Sequence, residues 1–291
     1  VTLRYAYYTG CAAKGVCPEL HESTLAVAQA LDMELIELTA SSCCGAGVIG
    51  ELEHDTQLAM NARNLAQAEH LGLDMMTVCG TCQGVLSRAH KELSDGATRE
   101  RINGVIAEAG GVYNGRATPK HLLWVLIQDI GLARLEQRVV RPLTGLKVGP
   151  FYGCYILRPS EYLSFDDPYN PKSLEQVIRA LGAEPVDYAG RTKCCGFPIV
   201  LEQEQNAMQM VGRNLLEARD KGADCLVTPC PLCHMNLDIY QGRAEKEMHR
   251  PIGMPILHLP QLVGLALGLA PSALGLQRNM VDTSPLIAQF T

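Results

Sequence analysis

Apolar and polar positions along the chain switch repeatedly between a period of two and a period near 3.6. Leu3 to Tyr8 alternates, is rich in tyrosine and reads as a strand that delivers Cys11 at its carboxyl end. After a loop over Ala12–Pro18 the spacing becomes helical from Glu19 to about Asp32, with Leu20, Leu25, Val27 and Leu31 on the expected buried face. Met33 to Leu38 is a second strand, ending at the loop Ser41-Ser42-Cys43-Cys44-Gly45. Asp55 to Leu71 is again helical, Gly72 stops it, and Met75 to Val78 is a short strand pointing at Cys79. Helices over Gln83–Leu93, Arg99–Ala109 and Lys120–Ile130 follow, the last stopped by Gly131, and the first half closes near Pro142.

The second half repeats the order. A strand over Lys147–Tyr152 precedes Cys154, a helix over Ser173–Leu181 and a strand over Pro185–Tyr188 precede Cys194 and Cys195, and helix, strand and CxxC come next. The repeat extends beyond cysteine: Arg63-Asn64-Leu65 with Ala68, Gly72 and Asp74 recurs as Arg213-Asn214-Leu215 with Ala218, Gly222 and Asp224, always 150 positions on. Strands alternating with helices imply βαβ units and mainly parallel sheets, whose functional groups gather at the strand carboxyl ends. The expected fold is therefore α/β, two similar lobes related by a pseudo-twofold duplication, residues 1–145 and 146–291. Each lobe carries a cysteine site at its strand carboxyl ends, and the two face each other across a shared cleft.

Composition narrows the function. The net charge of −6, with no basic block, excludes nucleic acid as the expected partner. No basic, apolar, small-residue signal sequence opens the chain, so a cytoplasmic protein is expected. The apolar run Leu257–Leu274 is interrupted by His258, Pro260 and Pro271 and is too short for a transmembrane segment. Twelve cysteines in a 291-residue chain with an ordinary apolar fraction point to metal-bound thiolates in a reducing compartment rather than to disulfides.

Ten of those cysteines form two matching groups: Cys11, Cys43, Cys44, Cys79 and Cys82, and Cys154, Cys194, Cys195, Cys230 and Cys233. In each, 34 residues separate the adjacent pair from the CxxC. A structural zinc site closes at four ligands, commonly from two CxxC-like knuckles, and neighbouring residues cannot both reach one tetrahedral ion without strain. Two adjacent thiolates can instead bind different irons of one cluster, so the pattern fits iron–sulfur binding with more thiolate than a cubane needs. A structural zinc protein is the plain alternative.

This doubled pattern resembles the CCG-domain family over almost the whole chain. Within it the phrases Tyr7-Tyr8-Thr9-Gly10-Cys11, Ala40-Ser41-Ser42-Cys43-Cys44, Val78-Cys79-Gly80-Thr81-Cys82 and Leu257-His258-Leu259-Pro260-Gln261-Leu262 are similar to the heterodisulfide reductase B chain. The resemblance implies two noncubane 4Fe-4S clusters, one on each group of five cysteines, and cleavage of a disulfide between them. It implies an oxidoreductase subunit that acts with a ferredoxin-like iron–sulfur subunit and a flavoprotein subunit, since no CxxCxxCxxxCP domain is attached.

One phrase departs from the methanogen pattern. Gly10-Cys11-Ala12-Ala13-Lys14-Gly15-Val16-Cys17 followed by Glu19-Leu20 is similar instead to B-type subunits of the sulfur-oxidising heterodisulfide-reductase-like complex and to the E-type subunits of atypical succinate or fumarate reductases. The first likeness implies a thiol substrate, small or carried on a lipoate-binding protein. The second implies an electron-transfer subunit linked to quinone, associated with the membrane peripherally through its complex. Cys17 could replace a ligand of the N-terminal cluster, make that cluster conventional, or pack beside it as a spare thiol, the favoured reading. His234, directly after Cys233, is the histidine expected nearest a cluster, as a donor behind its ligands or a cleft residue. His121 and His258 open matching apolar segments and are expected as core or capping histidines. Arg191 and Lys193 are expected as solvated loop charges that could also offset cluster charge, and Cys225 as a small buried residue.

Overall fold

The computed structural model describes residues 2–109 and 111–290. In the first half, β1 (Leu3–Tyr8), β2 (Met33–Glu37), β3 (Met75–Thr77) and β4 (Pro119–His121) form one parallel sheet in the order β2-β1-β3-β4. In the second, β5 (Lys147–Pro150), β6 (Glu184–Pro185), β7 (Cys225–Thr228) and β8 (Ile256–His258) form the same parallel sheet in the order β6-β5-β7-β8. The strand order reverses between β1 and β3, and between β5 and β7. A crevice opens there at the carboxyl ends, and Cys11 and Cys79, or Cys154 and Cys230, begin on its two sides.

Helices cover the faces. Those that position the sites are α1 (Pro18–Ala30), α2 (His54–His70), α3 (Gly80–Glu92), α4 (Ser173–Ala180), α5 (Glu204–Asp220), α6 (Pro231–Ile239) and α7 (Leu259–Ala266). The alternation of β1 sends Tyr5 and Tyr7 to one side and Ala6 and Tyr8 to the other. Each side enters a separate hydrophobic cluster, and each cluster also takes residues from the second half: Val148 and Leu257 join the first, Phe151 and Leu226 the second. α1 packs directly on α7. The two lobes therefore share their cores.

Local differences from the sequence reading have plain causes. Leu25 lies outward, 42% exposed, because α1 buries Leu20 and Val27 instead. The segment expected as one helix over 120–130 first completes the sheet, as Met76 pairs with Lys120, then coils through Leu122–Trp124 into wider π-turns over Val125–Ile130. The Lys120 ammonium reaches both oxygens of Asp129 at 2.9 Å across that segment. The run from Leu257 forms the end of β8 and then α7, both buried. Among the described residues no helix is long and apolar enough to cross a membrane.

Candidate cysteine centres

Each CxxC begins a helix. Cys79 caps α3 from an extended backbone, φ −118° and ψ 115°, and its sulfur accepts from the Cys82 amide at 3.5 Å. Cys230 precedes α6 in the same way, with φ −140° and ψ 121°. Both thiols sit at the positive end of a helix dipole; contact with Cys233 lowers Cys230, while contact with Cys230 raises Cys79.

The adjacent pairs are shaped by the glycine that follows them. Gly45 at φ +71° and Gly196 at φ +92° turn the chain so that their own amides donate to Cys43 Sγ and Cys194 Sγ, each at 3.4 Å. Buried asparagines then pin the loops. Asn61 Nδ2 donates to the Cys44 carbonyl at 2.9 Å, Asn236 Nδ2 to that of Cys195 at 2.6 Å, and Asn214 Nδ2 to that of Cys194 at 3.1 Å.

The structure brings each group of five together. Cys11 and Cys43 sulfurs lie 3.9 Å apart, and Cys43, Cys44, Cys82 and Cys79 continue the chain of thiol contacts. Cys154, Cys194, Cys195, Cys233 and Cys230 repeat it. All are free thiols. In each group some thiols are favoured as thiolate at their neighbours' expense: Cys43 in the first, Cys194 and Cys230 in the second. Contact with Cys11 and Cys44 pulls Cys43 down to about 2, while contact with Cys43 pushes Cys44 up to about 12. Cys194 is likewise pulled down to about 2, first by Cys154. Five thiolates so close can ionise together only around cations, the condition that metal or iron–sulfur binding supplies.

The backbone also leaves room for sulfur. A Cβ on Gly10, at φ +66°, would stand 3.1 Å from Cys82 Sγ, and one on Gly153, at φ +71°, only 2.8 Å from Cys233 Sγ. Only glycine fits there without moving a thiol. By donor type, number and cradle, the residues fit an iron–sulfur cluster.

The two groups abut. The Gly80 amide donates to the Pro229 carbonyl at 3.0 Å, the Thr81 hydroxyl lies 3.5 Å from Cys230 Sγ, and the Cys79 and Cys230 thiols interact directly. His121 helps hold this seam. Its Nδ1 accepts from the Leu123 amide at 3.0 Å, so Nε2 carries the proton and donates to Pro229 at 2.8 Å. Burial lowers His121 to about 4. Beside the seam opens a pocket of about 260 Å³, walled by Tyr155, Ile156, Phe197, Val200, Leu201 and Leu232 and floored by Cys154, Cys195, Cys230 and Cys233.

Other residues fall where sequence did not place them. Cys17 is buried, and its electrostatic neighbours are Glu19, Cys230 and Asp238 rather than the first cysteine group. Burial raises it to about 12. His234 donates to the Ile256 carbonyl at 3.0 Å and stacks on His258 at 3.7 Å. Arg191 is no solvated loop charge: it is buried, 2.8 Å from Glu175, whose other oxygen takes the Tyr152 hydroxyl. Arg158, which sequence reasoning missed, helps lower Cys194. Its only signal was its place four residues after Cys154.

Comparison with known proteins fits this geometry. The family model for the cysteine-rich CCG domain matches twice, at residues 5–87 and 148–238. The chain belongs to the CCG cysteine-rich domain family. This CCG protein is 42% identical to the 8-methylmenaquinol:fumarate reductase membrane anchor subunit of Wolinella succinogenes, over 97% of this chain and 98% of that one. It is 31% identical to the B chain of the ferredoxin/F420H2-dependent CoB-CoM heterodisulfide reductase of Methanosarcina acetivorans, over 99% and 97%. It is 34% identical to a protein of Archaeoglobus profundus that resembles the heterodisulfide reductase B chain, over 92% of each. A crystal structure of a hypothetical protein from Helicobacter pylori superposes with TM-score 0.77 at 16% identity, covering 96% of this chain and 52% of that one, and shares the fold.

Proposed function

We propose that the chain is the iron–sulfur subunit of an oxidoreductase complex of the heterodisulfide reductase kind. Cys11, Cys43, Cys44, Cys79 and Cys82 would hold one 4Fe-4S cluster, and Cys154, Cys194, Cys195, Cys230 and Cys233 the other. The observation that carries this reading is the convergence of ten free thiols into two groups of five that meet at Cys79 and Cys230. Bound clusters supply one-electron transfer. The chain's own part is to hold charge and exclude water: the Gly45 and Gly196 amides face the Cys43 and Cys194 sulfurs, and Arg158 adds positive charge beside Cys194. Adjacent ligands in each group support a noncubane arrangement, because neighbouring residues reach two irons more readily than one.

The walls of the pocket favour the quinone-linked form of this function. Among the described residues no lysine, arginine, aspartate or glutamate lines it, so it suits an uncharged ring with an apolar tail better than a small anionic disulfide. The quinol-linked relative, similar along its whole length, agrees with that choice. Thiol–disulfide exchange is the second reading. It is supported by the abutting cysteine groups, which would place one sulfur of a cleaved disulfide on each side, and by the adjoining recess that carries Arg88 and Arg158. Partner subunits, a ferredoxin-like protein and a flavoprotein, complete either complex, and the quinone form would sit peripherally on a membrane through its complex.

Anaerobic reduction of the purified complex, followed by mixing with a menaquinone analogue or with a small disulfide, separates the two. Cluster reoxidation by the quinone alone supports the first reading. Reoxidation by the disulfide alone overturns it in favour of the second.

A further inference from the structure

Away from the two cysteine groups, a third set of ligand-type side chains meets inside the protein. The ligand atoms of Cys17, Glu19, His234 and His258 all lie within 4.8 Å of one another, and all four residues are buried. Two come from the first half, just before and within the first turn of α1. Two come from the second, in the first turn of α6 and at the start of α7. We propose that these four residues bind one divalent cation of the zinc class, apart from the cluster sites, and thereby tie the two halves together beside Cys230.

The donor set sets the class. One thiolate, one carboxylate and two imidazoles are the ligands zinc takes at four-coordinate sites, whereas calcium and magnesium want mostly oxygen. Charge favours it too. Glu19 is 6% exposed, and its carboxylate faces the Cys17 thiol and His258 Nε2, the latter at 3.2 Å. A divalent ion would neutralise that carboxylate and a Cys17 thiolate together, which removes the penalty of an isolated buried charge.

Hydrogen bonds and close packing hold the groups around these four residues. His234 Nε2 donates its N–H to the Ile256 carbonyl, which fixes the tautomer and leaves Nδ1 unprotonated, the usual arrangement behind a ligating histidine. Asn279 donates to the same carbonyl at 2.6 Å, and the His258 amide donates to Gln261 Oε1 at 2.9 Å. Gly275, at φ +64°, closes over Glu19 so tightly that a Cβ there would stand 2.6 Å from Glu19 Cβ. The imidazoles stack at 3.7 Å with 17° between their planes, so one ion cannot lie in both ring planes at once. Binding therefore opens this stack.

The inference does not depend on the cluster reading, and its test keeps the two apart. The protein, purified anaerobically and washed with chelator, is assayed for zinc, iron and sulfide together. About one zinc per chain is expected beside the iron. Cys17→Ala and Glu19→Gln should each lower zinc at least tenfold and leave iron, sulfide and the paramagnetic resonance spectrum unchanged. Zinc below a tenth of an equivalent in the unaltered protein overturns the proposal, as does zinc that both variants retain. Zinc-edge X-ray absorption on the unaltered protein needs no variant to fold. One sulfur at about 2.3 Å with three nitrogen or oxygen ligands at about 2.0–2.2 Å is expected, and a shell of three or four sulfurs overturns the assignment by placing the ion in a cysteine group.

Discussion

Replacing Gly153 by alanine tests whether the second cysteine group is shaped to hold something larger than its own thiols. Gly153 sits at φ +71°, and an added Cβ would lie 2.8 Å from Cys233 Sγ. Gly222 supplies the control, with φ +90° and nothing within 4 Å of an added Cβ. Both alanines incur the left-handed backbone penalty of about 1–2 kcal/mol, offset by up to about 1 kcal/mol from the stiffer unfolded chain. Only Gly153→Ala must also push a sulfur aside. Cys233 is 5% exposed in the first turn of α6, so its thiol can yield only by turning away from Cys195 and out of the group. Iron and acid-labile sulfide should therefore fall by about half in Gly153→Ala, to about four irons per chain, and stay full in Gly222→Ala. Unfolding of both is followed by the fluorescence of Trp124, the one tryptophan. Full iron in Gly153→Ala, with a melt matching Gly222→Ala, would refute the reasoning.

Cys195→Ser should abolish the paramagnetic signal of the C-terminal site while sparing the other, read by resonance on the reduced protein; an unchanged spectrum counts against the ligand assignment. Arg191→Met leaves the buried Glu175 carboxylate without its 2.8 Å partner and should lower stability by about 3–5 kcal/mol in denaturant titration; a loss under about 1 kcal/mol would show that the pair is not what holds this corner. His121 has a folded-state pKa lowered to about 4. Its neutral form therefore contributes stability above the unfolded value near 6.5, which is lost as pH falls toward 4. His121→Gln should flatten the dependence of stability on pH between about 6.5 and 4 by up to about 1.4 kcal/mol per pH unit, one proton's worth. An unchanged slope would mean that His121 does not titrate this way.

Much of this was legible in the chain because the duplication states it twice. Period-two runs ending in cysteine, followed by helices, locate a parallel sheet and the rim where its thiols gather, and Gly45 and Gly196 mark the turns that aim them. Less legible was what crosses between halves. Tyr5 and Tyr7 pack in one cluster with Val148 and Leu257, contacts between residues far apart in sequence that no local periodicity reports. Cys17 reads as a neighbour of Cys11 because it is six residues away. The turn at Cys11–Gly15 instead carries it to His234 and His258 of the other half. Arg191 reads as a loop charge beside the cysteine pair, yet its partner Glu175 lies in α4, outside the span of any motif.

The central claim is that the two five-thiol groups are iron–sulfur sites. Metal and sulfide analysis with electron paramagnetic resonance on anaerobically purified protein tests it most directly. About eight irons and about eight sulfides per chain, with a paramagnetic cluster signal, are predicted; stoichiometric zinc filling the cysteine groups, without sulfide, would contradict it.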